Sequence, residues 1–150
     1  MAAIKALIKQ VGINPMGLEW PRFVVAEDAQ GQFIGCGQVK PHRDGSRELA
    51  SIAVVKGWRR RGVARAIIEH LQQQYGVPLW LTCMNRLTPF YEQYGFRETA
   101  VPQQMPPYFR QARRFFSLYK ALARVEGQLA VMVWELETVP AHIENRHEKN

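Results

Sequence analysis

The sequence predicts an α/β domain with a mixed sheet, and three observations carry that prediction. Short β-type runs bounded by turn signals follow one another from Arg22 to Val55. An amphipathic run, Val63 to Tyr75, then separates two apolar segments, as a strand-helix-strand unit requires. At 150 residues and 47% hydrophobic content, the chain has material for one sizeable core and too little for two ordinary ones. A single domain over residues 1–139 is therefore expected, with a polar tail at 140–150.

Taken in order, Ala2 to Gln10 carries Ile4, Leu7, Ile8 and the following Val11 at helical spacing. Gly12 to Pro21 holds two prolines, two glycines and Asn14, and reads as a loop before the first strand, Arg22 to Glu27. Ala29 to Gln32 turns the chain into Phe33 to Val39, and Asp44-Gly45 is a strong hairpin signal before Glu48 to Val55. These three strands are expected to pair antiparallel. Val63, Ile67, Leu71 and Tyr75, with Ala64 and Ile68 beside them, form one stripe of the central helix, which Gly76 and Pro78 stop.

Leu79 to Cys83 reads as a buried strand parallel to the one before the helix, since such units cross over right-handedly. Leu87 to Tyr94 is a short helix ended by Gly95, and Phe96 to Thr99 a short strand. Pro102, Pro106 and Pro107 imply an irregular, lid-like loop, and Pro107 suits the first position of a helix from Tyr108 to Arg124. On that helix Tyr108, Ala112, Phe115, Tyr119 and Leu122 share a face that is expected to pack. Leu129 to Leu136 is the last strand, and Pro140 to Asn150 reads as disordered.

No apolar stretch approaches the length of a bilayer span, and Lys5 and Lys9 interrupt the N-terminal apolar run. A cytoplasmic protein without membrane partners is expected. Cys36 and Cys83 fall inside strands with no metal-ligand spacing, so buried free thiols are expected and no metal site. The formal charge of +7 favours anionic partners. Basic residues gather at Lys56 to Arg65 and at Arg110 to Arg124.

The first basic cluster contains Arg59-Arg60-Arg61-Gly62-Val63-Ala64, between the apolar run Leu49 to Val55 and the central helix. A strand that stops and a helix that starts at a glycine turn present unpaired N–H groups and a positive dipole end to an anion. The segment is not a Walker loop, and it lacks the glycine spacing of dinucleotide folds. Arg-x-x-Gly-x-Ala resembles the acetyl-CoA-binding motif of the GNAT superfamily of N-acetyltransferases. Asn85 and the segment Pro89 to Phe96 stand about where that family has an asparagine and an F-Y-x-x-x-G-F block. The resemblance covers roughly Arg22 to Phe96, and more loosely the final strand.

The resemblance implies a GNAT-like, mostly antiparallel central sheet with a splayed parallel strand pair, flanking helices, and transfer of the acetyl group of acetyl-CoA to a primary amine. It also implies cofactor contacts at Arg59, Arg61, Gly62, Val63, Ala64 and Arg65, with Arg60 and Lys56 as outer partners. Backbone N–H groups near Ile52, Ala53 and Val54 would hold the thioester carbonyl, and Asn85 the pantetheine arm. Asn85 reads equally as an N-cap. One departure is visible: the family begins with a strand and often has two helices before its second strand, whereas this chain starts in a helix followed by a short loop. That region helps to form the acceptor site in the family, so the acceptor, a small-molecule amine or a protein amine, stays open. The loops Gly12 to Pro21 and Pro102 to Tyr108 are expected to line it.

Two residues answer the remaining chemistry. Glu48, eleven positions before Arg59, stands at the offset of the strand carboxylate that serves as general base in the histone-modifying branch of the superfamily. It reads equally as a hairpin residue paired with Arg47 or Lys40 in solvent. Tyr91 occupies the position of the tyrosine that many GNAT enzymes place near the cofactor sulfur, where a phenol can protonate the departing thiolate. Tyr94 reads as packing. No histidine is placed to make Cys83 a nucleophile, so direct transfer in a ternary complex is expected; His42 and His70 receive no role.

Three other expectations belong beside these. A non-catalytic acyl-CoA-binding regulatory module would need the cradle without Glu48 and Tyr91. Nucleic-acid binding through Arg110, Arg113, Arg114, Lys120 and Arg124 rests on charge alone, and a solvated helix face is the preferred reading. Phe115-Phe116 and the last strand would serve a homodimer or the core alike.

Overall fold

The fold is that of a computed structural model, which describes residues 1–136. The expected tail at 140–150 lies outside the described residues. Helix α1 (Ala2–Val11) precedes three strands, β1 (Phe23–Glu27), β2 (Phe33–Pro41) and β3 (Arg47–Val54). Helix α2 (Val63–Tyr75) leads to β4 (Leu79–Met84), short α3 (Thr88–Glu92), β5 (Arg97–Glu98), α4 (Pro107–Ala123) and β6 (Leu129–Trp134). The sheet runs β1-β2-β3-β4-β6-β5. Neighbours are antiparallel except β3 and β4, which are parallel.

The β2–β3 hairpin closes where its residues call for it. Asp44 Oδ1 accepts from the N–H of Ser46 at 2.9 Å, and Gly45 takes φ +83°, a left-handed conformation that costs glycine little. Pairing then proceeds from Pro41 opposite Arg47 through Lys40 opposite Glu48 to Gln38 opposite Ala50. There the register shifts, and Cys36 faces Ala53. The extra residue of β3 makes a bulge at Ser51, whose φ is +58°. Ser51 Oγ accepts from Nε2 of fully buried Gln38 at 2.9 Å.

The bulge and the parallel neighbour together open the sheet. Between β3 and β4 the registered pair is Glu48 opposite Trp80, and the strands pair no further among the described residues. Toward Val54 and Met84 the two edges separate, so backbone groups of β3 from Ser51 onward lack a β4 partner.

Each face of the sheet has its own helices. On one, Ile67, Ile68 and Leu71 of α2 pack on Leu49, Leu79, Leu81, Cys83 and Met132, with Phe96 beneath α3. Gly37 lets α2 come close: a Cβ there would lie 2.6 Å from Ile52 Cδ1 and from Ile67 Cγ2. On the other, α1 covers Cys36 and Ala53, and Phe109 of α4 packs with Trp80, Met105, Val131 and Val133. Both cysteines are buried and free, as expected.

Helix α4 departs from expectation. The face expected to pack is turned outward, with Phe115 71%, Tyr119 60% and Leu122 88% exposed. Phe109 is the buried residue instead. The helix carries two neighbouring apolar stripes, and the sheet takes the one that starts at Phe109 because Trp80 offers it a stacked ring at 5.6 Å.

Candidate active site

The cradle forms because β3 ends and the chain cannot continue extended. The N–H of Val55 still bonds the Ile34 carbonyl, and Lys56–Trp58 then makes a 3₁₀ turn. Arg60 and Gly62 both adopt left-handed backbone, at φ +62° and +81°, on either side of Arg61. Alternating conformations of this kind gather N–H groups into a concavity suited to anions. Gly62 is required for its φ rather than for space, since a Cβ there meets nothing within 4 Å. Helix α2 begins at Val63 with no side-chain cap, and Ala66 N–H bonds the Gly62 carbonyl at 3.0 Å. The N–H groups of Val63, Ala64 and Arg65 precede that bond and stay available at the positive end of a thirteen-residue helix.

The arginines are arranged unequally. Arg59 turns back, its Nε donating to the Val54 carbonyl at 3.2 Å. The Arg61 guanidinium lies 5.1 Å from the Trp58 ring centre, and that of Arg65 lies 6.0 Å from Tyr94. Arg60 is exposed. Asn85 is no N-cap: its Oδ1 accepts from Gln128 N–H at 3.4 Å, which ties the end of β4 to the start of β6.

Glu48 is 6% exposed, which excludes the solvated pairing with Arg47 or Lys40. Arg47 instead donates to the carbonyls of Tyr75, Val77 and Pro78. Glu48 Oε2 stands 2.8 Å from His42 Nε2, and Oε1 accepts from Thr82 Oγ1 at 3.4 Å. The His42 ring stacks on Tyr108 with centroids 3.4 Å apart and 16° between planes. Asp44 Oδ2 accepts from the Tyr108 N–H at 2.9 Å, so the hairpin holds the first turn of α4 by a stacked ring and a hydrogen bond. Burial, and then the Glu48 carboxylate, push the Tyr108 phenol up to about 12. Burial lowers the Lys40 ammonium, partly offset by Glu48, and its Nζ donates to the Met16 carbonyl at 2.7 Å. Nothing in the spacing of the sequence links His42, Thr82 or Tyr108 to Glu48; the Asp44-Gly45 turn was the one available hint, since it folds position 42 back toward 48.

Tyr91 lies on the opposite face of the sheet, against the cluster that contains Cys83. Its ring meets Phe90 and Phe96 edge-on, at 5.0 and 6.1 Å. Burial, with smaller contributions from Cys83 and Tyr94, raises the phenol well above the ordinary tyrosine range, so it keeps its proton at neutral pH. Tyr94 packs on Phe90, and its carbonyl accepts from Gln72 Nε2 at 2.8 Å. The fold thus sets a carboxylate on one face and a protonated phenol on the other, with the parting of β3 and β4 between. Two open grooves run along α4, one by Ser117, Lys120 and Arg124, the other by Pro102, Met105 and Arg110; neither touches Glu48 or Tyr91. No group of metal-ligating side chains occurs among the described residues, and no helix there is long and apolar enough to cross a membrane.

Residues 19–98 match the family model described as an acetyltransferase (GNAT) domain. No curated protein sequence matches the chain. Among solved structures, it is similar to N-acetylglutamate synthase from Neisseria gonorrhoeae complexed with coenzyme A and N-acetyl-glutamate. The TM-score is 0.66 at 19% identity, over 91% of this chain and 33% of that one. Rv2747 from Mycobacterium tuberculosis, in a complex that includes CoA, gives 0.67 at 21% identity, over 91% and 93%. A GNAT-family acetyltransferase from Staphylococcus aureus gives 0.53 at 15% identity, over 77% and 67%. This chain thus spans about a third of the length of the gonococcal synthase and nearly all of the mycobacterial protein.

Proposed function

This chain belongs to the GNAT acetyltransferase family, and on that premise we propose that it transfers the acetyl group of acetyl-CoA to a primary amine by direct attack in a ternary complex. The observation that carries the reading is the opening between β3 and β4. Glu48 stands at its closed end, Tyr91 packs on the other face of the sheet beside Cys83 of β4, and the uncapped start of α2 follows β3 in the chain.

In this reading the N–H groups of Gly62, Val63, Ala64 and Arg65 bind the pyrophosphate, with Arg59 and Arg61 supplying charge once their side chains turn toward it. The unpaired edge of β3 at Ile52, Ala53 and Val54 takes the pantetheine arm as an added strand and donates to the thioester carbonyl. Asn85 contacts the same arm. Glu48 removes one proton from the acceptor's ammonium, which leaves a neutral amine to attack. As the carbon–sulfur bond breaks, Tyr91 gives its proton to the sulfur, and the second proton lost by the attacking nitrogen restores the phenol. Both solved complexes with CoA described above support the cofactor assignment.

Calorimetric titration with acetyl-CoA, beside an Arg59→Ala, Arg61→Ala variant, tests the cradle. Binding that weakens in the variant supports it, and wild-type protein that does not bind removes the reading. Turnover on a panel of amines, peptides and polyamines then separates an enzyme from a regulatory acyl-CoA-binding module, which would bind without releasing CoA.

A further inference from the structure

We propose that His42 is the positioning residue of Glu48, holding the carboxylate in place through the Nε2–Oε2 hydrogen bond. The inference rests on the acetyl-transfer reading and deepens it. Glu48 and His42 are both nearly enclosed, with side chains 8% and 12% exposed, and their polar atoms stand 2.8 Å apart. An ionised carboxylate only accepts, so the short contact requires a proton on Nε2. The bond occupies Oε2, Thr82 Oγ1 makes the longer contact with Oε1, and the Tyr108 phenol also hydrogen-bonds the carboxylate.

The imidazole cannot turn away. Tyr108 covers one ring face at 3.4 Å, and Phe109 meets the ring edge-on at 5.7 Å. The group therefore holds one carboxylate rotamer. The charged and titratable neighbours are Glu48 from β3, Asp44 from the same turn, and Tyr108 from α4; Lys40 of β2 faces Glu48.

Proton balance follows. The acceptor's ammonium loses one proton to Glu48, which releases it to water after the amide forms, while His42 keeps its Nε2 proton in the hydrogen bond throughout.

Long-range proton–nitrogen NMR of the imidazoles tests the pair without any acceptor. Wild-type protein should show His42 with its proton on Nε2, and an Nδ1–H tautomer overturns the proposal. In turnover with the best amine of the panel, His42→Gln, whose side-chain amide still donates, should retain measurable activity, and His42→Leu should lose about tenfold or more in kcat with KM little changed. Equal losses in the two variants, or none in His42→Leu, reduce the pair to a structural contact and also overturn the proposal. Failure of the acetyl-transfer reading looks different: wild-type protein that neither binds acetyl-CoA nor releases CoA, whatever the imidazole spectrum shows.

Discussion

Glu48 faces Trp80 at the one registered position of the parallel strands, and from that pair β3 and β4 part. The candidate base therefore sits at the vertex of the opening. Side chains on either side of the sheet can approach the same point only where the sheet is parted, which is why a carboxylate and a phenol in separate cores can belong to one reaction.

Glu48→Gln preserves shape and most hydrogen bonds and removes the proposed base. We expect kcat to fall roughly 10²- to 10³-fold, with the dissociation constant for acetyl-CoA changed by less than about threefold. Steady-state kinetics and calorimetry on the same preparation check it, and an equal loss of binding would assign Glu48 a structural role.

Tyr91→Phe keeps the edge-on contacts with Phe90 and Phe96 and removes the proposed proton donor. Turnover should fall roughly tenfold or more while acetyl-CoA affinity holds. Tyr94→Phe should leave both nearly unchanged. If the two variants behaved alike, the acid role of Tyr91 would be lost.

Gly62→Ala places a Cβ in left-handed backbone at φ +81°. A cost of roughly 1–2 kcal/mol is expected, or relaxation of the turn that weakens acetyl-CoA binding. Gly62→Asn, which tolerates this conformation better, should recover part of either loss. Denaturant melts and calorimetry distinguish the two routes. A fully stable Gly62→Ala protein with normal binding would show that the turn does not shape the cradle.

Burial pushes the Cys36 and Cys83 thiols up from 9.0 to about 11, with Glu98 adding to the effect at Cys83. In the folded state each keeps a proton that the unfolded chain loses earlier. Their contribution to stability is then complete below pH 9 and is lost as pH rises through about 11. Thermal melts from pH 7 to 11 should show a falling midpoint across that window, less steep in Cys36→Ala. At neutral pH a thiol reagent should modify both groups slowly in native protein and quickly in urea. Rapid native modification of Cys83 would contradict its inert placement.

Much of this was legible along the chain. The Asp44-Gly45 turn, the four-residue stripe of α2, and the arginine-glycine segment between strand and helix each depend on neighbours in sequence. Periodicity, turn chemistry and helix ends are local properties, so their expectations survived folding. The acid–base surroundings were not legible in this way. His42 reaches Glu48 across a turn, Thr82 comes from a strand placed by a crossover, and Tyr108 arrives from sixty residues downstream of Glu48.

By itself, the sequence determined the order of elements, the family motif and the glycine turn that opens α2, because each follows from spacing within a short segment. Tertiary structure decided which apolar stripe of α4 faces the sheet and which side chains enclose Glu48. Helical spacing shows that an apolar stripe exists, but two stripes on one helix have the same period. Only the shape of the surface that receives them, here Trp80 against Phe109, selects the one to bury.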